Sequence, residues 1–126
     1  MLKHLVACAS AATLLASCGG SGSSGTTTPS PTAAATITIS ATGISPKTVT
    51  VPRGSQVQFL NNDRASHQMA SDPHPEHTDC PELNQVGFLV TGQSRQTGNL
   101  NTARTCGFHD HDAPLNTALQ GSIIIQ

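Results

Sequence analysis

Apolar and polar residues alternate in several short segments in the C-terminal two thirds of the chain. Isoleucine, valine and phenylalanine alternate with threonine, serine and glutamine in residues 36–40, 48–51 and 57–59. A period of two is typical of strands with one buried face. Further strands are expected at residues 86–90, 94–100, 105–111 and 123–125. No segment keeps a helical period, so the pattern predicts an all-β antiparallel sandwich or small barrel.

The alternation disappears between residues 61 and 85. Long segments without regular structure are unusual in small domains and tend to carry function. This one contains His67, Met69, His74, His77 and Cys80.

The N-terminus has the parts of a secretory signal: a basic start at Lys3 and an apolar run over residues 5–15 that is too short to span a bilayer. The following Leu-Ala-Ser-Cys, which ends at Cys18, resembles the lipobox of bacterial lipoproteins. The resemblance implies cleavage before Cys18, a lipid on that cysteine and attachment to a membrane. An ordinary secretory signal is the alternative.

Residues 19–35 consist of Gly, Ser, Thr, Pro and Ala, a composition that cannot bury enough surface to fold. The sequence therefore predicts a signal peptide (1–17), a lipidated cysteine with a flexible tether (18–35) and one domain (36–126). With five basic and seven acidic residues after the signal, there is no basic stripe for nucleic acid.

Two cysteines remain for the folded domain, Cys80 and Cys106. In an exported chain an even pair favours a disulfide, which would stabilise a small core. A copper thiolate at Cys106 is the alternative, and it would leave Cys80 free.

All five histidines beyond the signal occur in two places, the segment without alternation and the segment near the C-terminus. On a strand, His109 and His111 would point to the same face about 7 Å apart. Cys106, Phe108 and Asp110 would then point to the other face. Because neutral imidazole is the commonest metal-ligand side chain, this clustering indicates a metal site.

The sequence also resembles a family. Residues 59–63, Phe-Leu-Asn-Asn-Asp, followed by His67, are similar to the first-ligand region of cupredoxins such as plastocyanin and azurin. Residues 105–111 and 121–125 resemble their last ligand loop and closing strand. Ser-Asp-Pro-His-Pro at 71–75 and His-Asp-His at 109–111 are similar to a subgroup of secreted bacterial cupredoxin-domain proteins.

The resemblance implies a Greek-key β-sandwich, copper binding and, in well-studied members, electron transfer. It implies one copper ion, with another divalent metal as the alternative. The expected ligands are His67, His109 and His111, with His74, His77, Met69 and Cys106 as further candidates. Aligned on Phe108-His109, the family's cysteine position holds Asp110, and no methionine follows. A blue-copper centre needs a thiolate, so a histidine-rich site is expected instead.

These observations predict an exported, lipid-anchored copper-binding protein in the periplasm or at the cell surface. Its role would be copper handling, or redox chemistry with a protein partner. A metal-free structural or adhesive sandwich is the alternative. Enzymatic activity is the third hypothesis, because the sequence shows no nucleophile–base arrangement. The acidic residues beside the histidines can equally well be hydrogen-bond partners of the histidines or solvated charges.

Overall fold

The computed structural model describes residues 32–126, so the predicted signal peptide and Cys18 lie outside the described residues. This part of the chain forms nine strands and two short 3-10 helices, Leu83–Gln85 and Thr117–Leu119. The strands are β1 Ala35–Ser40, β2 Gly43–Ser45, β3 Thr48–Val51, β4 Val57–Asn61, β5 His67–Ser71, β6 Gly87–Leu89, β7 Ser94–Gln96, β8 Arg104–Asp110 and β9 Gly121–Ile125.

The strands form two sheets, ordered β2-β1-β4-β7 and β3-β9-β8-β5-β6. The expected β-sandwich is therefore confirmed, but the sheets are mixed rather than antiparallel. β1 pairs with β4 and β3 pairs with β9 in parallel. A parallel pair needs a crossover connection, and here the chain visits the opposite sheet at β3 between β1 and β4.

The period-two pattern of the sequence becomes the inner face of the sandwich. In β1 and β3 the isoleucine and valine side chains are buried and their polar neighbours are more exposed, and β4 buries Val57 and Phe59 together with the polar Asn61. Phe59 and Phe108 meet edge to face in the core with ring centroids 5.1 Å apart. Cys106 faces the same core, and a disulfide joins it to Cys80, as the pairing prediction expects.

The segment predicted to lack regular structure contains one strand that the sequence pattern did not indicate. β5 is His67–Ser71, and it lies between β6 and β8 in the five-stranded sheet. Its inward residues include His67 and Ser71, which are polar although they are buried. A polar inner face hides the alternation on which strand prediction depends.

Within residues 32–126 there is no helix long and apolar enough to cross a membrane.

Candidate metal centre

Four histidines from two parts of the chain come together on the side of β8 that points away from the core. The nitrogens that they can offer to a metal all lie within 4.8 Å of one another. Nitrogens bound to one ion at about 2.0–2.1 Å are at most ~4.2 Å apart, so a small contraction would close the group on an ion. The four are His74, His77, His109 and His111.

Two of these histidines come from β8 and the residue after it. Phe108 and Asp110 point into the sandwich, so His109 points outward, where the loop between β5 and the first 3-10 helix covers it. His111 follows the strand, and its backbone N–H donates to the carbonyl of Gln68 at 2.7 Å. The strand geometry expected from the sequence therefore places both imidazoles on one side.

The other two histidines lie on the covering loop, residues 72–80, and both ends of this loop are bonded to β8. Asp72 N–H donates to the carbonyl of Gly107 at 3.0 Å, and Cys80 is tied to Cys106 by the disulfide. Both anchors are on β8, the strand that carries His109. The disulfide thus holds the loop histidines over the strand histidines.

Asn84 organises the middle of this loop, a role that no sequence signal indicated. Its side chain donates to the carbonyl of His77 at 2.8 Å and accepts from Ser71 N–H at 2.9 Å. His77 itself has a positive φ of 53°, which is uncommon for a residue other than glycine. Such backbone conformations cluster at functional sites.

The ring of His109 has one nitrogen in use and one without a partner. Nδ1 lies 2.6 Å from the carboxylate of Asp72. Nε2 is buried and has no hydrogen-bond partner in the described part of the chain. Because buried polar atoms are nearly always satisfied, this nitrogen is a candidate ligand atom for a metal ion.

The structure does not bring His67 into this group, which corrects the expectation that it shares a metal with His109 and His111. Its Nδ1 lies 2.6 Å from Asp110 and its Nε2 lies 3.0 Å from Asp63, so both ring nitrogens face carboxylates. Carboxylates accept hydrogen bonds, and both ring nitrogens are directed at these carboxylates rather than at the four-histidine group. The hydrogen bond from His67 also lowers the pKa of Asp63.

Two further candidate ligands are excluded by their positions. Met69 is buried in the hydrophobic core on the inner face of β5. Cys106 is bonded to Cys80, so it offers no thiolate. The four clustered ligand candidates are all imidazoles.

The pKa of His77 is held below its ordinary value. The main cause is burial, which penalises the charged form, followed by repulsion from the charges of His109, His111 and His74. Since imidazole must be neutral to bind a metal, this environment keeps His77 in its metal-binding form.

We expect the free energy of unfolding of the metal-free protein to decrease as the pH falls below about 6.5. In that range unfolded His77 takes up a proton that the folded protein resists, so the unfolded state gains stability. Above that pH the contribution is flat. Urea unfolding at several pH values measures this dependence, and His77→Asn should make it shallower. If the free energies of unfolding of the wild type and of His77→Asn changed equally with pH, the lowered pKa of His77 would be contradicted.

Replacing His67 with alanine should destabilise the domain rather than weaken metal binding. The side chains of His67 and Asp110 are 7% and 4% exposed, so the change leaves a buried carboxylate without its partner. Breaking a buried pair in this way costs about 3 kcal/mol. Denaturant unfolding measures the loss, with His74→Ala as a control that removes an exposed imidazole. A stable His67→Ala protein that binds no metal would restore His67 as a ligand.

No protein-family model matches the sequence, and no curated protein matches it. Several solved structures, in contrast, are similar to the domain. The purple cupredoxin of Nitrosopumilus maritimus gives a TM-score of 0.59 at 19% identity, over 73% of this chain and 99% of that chain. A mutant fern plastocyanin gives 0.57 at 16% identity, over 72% and 99%. A mutant amicyanin gives 0.57 at 16% identity, over 74% and 82%.

The domain has the cupredoxin fold. The sequence resemblance placed His67 at the first-ligand position of this fold and Asp110 at the cysteine position. In the structure these side chains are adjacent, with 2.6 Å between Nδ1 and Oδ2. His67 and Asp110 thus form an imidazole–carboxylate pair inside the sandwich, while the four-histidine group lies outside it.

Proposed function

We propose that the protein binds one copper ion, as Cu(II), through the imidazoles of His74, His77, His109 and His111. The observation that carries the proposal is the buried Nε2 of His109, which has no partner in the described chain although the ring belongs to a group of four imidazoles. A metal ion would satisfy this nitrogen and join the two segments.

The donor set favours Cu(II) over Cu(I). Imidazole suits copper, zinc and nickel, whereas thiolate and thioether ligands select Cu(I). The sulfur atoms that the sequence offered are occupied in the disulfide and the core. The fold supports copper as the metal, since its structural relatives are cupredoxins and one of them is a Cu(I) form of amicyanin.

Metal titration of the purified, metal-free protein tests the proposal. We expect one Cu(II) per chain, a pale colour and the paramagnetic resonance of an ordinary tetragonal site with nitrogen ligands. Zinc in equal amount should compete poorly, as the usual order of affinities predicts. An intense blue adduct would show a copper–thiolate bond and refute the ligand set. No stoichiometric binding would favour a metal-free structural or adhesive sandwich.

The proposed role is copper handling or electron transfer outside the cytoplasm, with a protein that donates or accepts copper or electrons. We further propose that the chain is exported and anchored through a lipid on Cys18. The basis is the signal at residues 1–17 and the lipobox-like residues before Cys18. The disulfide agrees with an oxidising compartment.

Mass spectrometry of protein matured in a bacterial host should find an N-terminal Cys18 that carries acyl chains. More than one chain is needed for stable anchoring, so the protein should fractionate with membranes. Cys18→Ser should prevent lipidation and leave the protein out of the membrane fraction. An unlipidated native product that begins at another residue would refute this prediction.

A further inference from the structure

Asp72 is the only carboxylate in the described chain that contacts a member of the four-histidine group by a hydrogen bond. Its Oδ1 lies 2.6 Å from Nδ1 of His109. The His109 side chain is 3% exposed, whereas that of Asp72 is 44% exposed. Because a carboxylate accepts, the shared proton belongs on Nδ1 of His109. The lone pair of His109 is then on Nε2, the buried nitrogen without a partner.

The approach of Asp72 to His109 depends on Gly107. This glycine lies two residues before His109, on the same side of β8. A Cβ atom at Gly107 would collide with the Oδ2 atom of Asp72. The carboxylate thus passes over the bare backbone at Gly107, and the Asp72 N–H donates to the Gly107 carbonyl at 3.0 Å.

We infer that Asp72 is a positioning residue for the metal centre, and that Gly107 provides the space in which it acts. Asp72 keeps the proton of His109 on Nδ1, turns Nε2 toward the other three imidazoles and makes that nitrogen a stronger donor. Carboxylate partners of metal-binding histidines act in this way, and their loss typically lowers metal affinity 10–100-fold. The effect on copper rests on the proposed function, whereas the proton position is a property of the metal-free protein.

The proton position is tested first, by nitrogen-15 NMR of the histidine rings in the metal-free protein at mildly alkaline pH. We expect His109 to carry its proton on Nδ1. Asp72→Ala and Gly107→Ala should each move that proton toward Nε2, the first by removing the carboxylate and the second by displacing it. Asp72→Asn should keep it on Nδ1, because the amide oxygen still accepts.

Copper affinity and reduction potential are tested with the same variants. Asp72→Ala and Gly107→Ala should bind Cu(II) about 10–100-fold more weakly. Asp72→Asn keeps the geometry without the negative charge, so its copper should have a more positive reduction potential than the wild type. The control is Asp79→Asn, which removes an exposed charge from the same loop. Its affinity should stay close to that of the wild type.

The outcomes separate the inference from the proposed function. His109 protonated on Nε2 in the wild type would overturn the role of Asp72. Equal affinity losses for Asp79→Asn and Asp72→Ala would also overturn it, since the effect would then come from net charge. A proton on Nδ1 that moves in Asp72→Ala, in a protein that binds no copper, would support the Asp72–His109 assignment and refute the proposed function.

Discussion

Replacing His109 with alanine should lower the affinity of the protein for Cu(II) by about 100-fold or more. Loss of a histidine's outer partner costs up to about 100-fold, and removal of the histidine itself deletes the ligand. His109 is also the most buried of the four histidines, so water cannot easily take its place. Competition against a chelator of known affinity, with copper counted per chain, measures the loss.

Two matched variants show whether this loss is specific. His67→Ala also removes a buried imidazole, but from a pair with Asp110, so its copper affinity should stay near that of the wild type. His74→Ala removes the exposed member of the group and should cost less than His109→Ala. Wild-type affinity in His109→Ala would exclude the four-histidine site. A loss confined to His67→Ala would place copper in the interior of the sandwich.

Replacing both Cys80 and Cys106 with alanine should lower the free energy of unfolding by about 3–4 kcal/mol. The disulfide links residues that are 26 positions apart, and its removal gives the unfolded chain more conformations. A domain of this size buries little apolar surface, so its free energy of unfolding is small without the disulfide. Urea unfolding of the double variant measures the loss, with the wild type in reductant as the matched comparison.

The same double variant should also bind copper more weakly, for a reason independent of stability. The loop that carries His74 and His77 is fastened to β8 at one end by this bond. Without it the loop must be ordered when the metal binds, and that ordering costs free energy. Unchanged stability would contradict the stabilising role of the bond. Unchanged affinity in a destabilised but folded variant would show that the loop is held by its hydrogen bonds alone.

The strands with apolar inner faces could be predicted from the sequence because burial repeats every second residue. β1 and β3 follow that rule closely, and β4 departs from it only at its last residue, the buried Asn61. β5 does not follow the rule, since two of its inward residues are polar, and their burial depends on partners elsewhere in the chain. Asp110 pairs with His67, which lies 43 positions earlier in the sequence, and no local pattern predicts a contact over that separation.

The candidate metal ligands could likewise be predicted only in part from the sequence. Histidine clustering in two segments indicated a shared site, and cysteine parity indicated the disulfide. The ligand set was harder to predict, because His67 lies in the same segment without alternation as the loop histidines. Only its contacts with Asp63 and Asp110 separate it from them.

By itself the sequence determined which residues can bury apolar surface, which side chains can bind a metal and which two cysteines can pair. These are properties of residue type and short-range spacing. The tertiary structure decided which histidines meet, because that depends on how β5 and β8 pair and on which side of β8 the 72–80 loop lies. In the paired strands Asp110 turns inward to His67, while His109 turns outward to Asp72 and the loop. A shift of one residue along β8, from His109 to Asp110, thus separates the candidate metal centre from the interior His67–Asp110 pair.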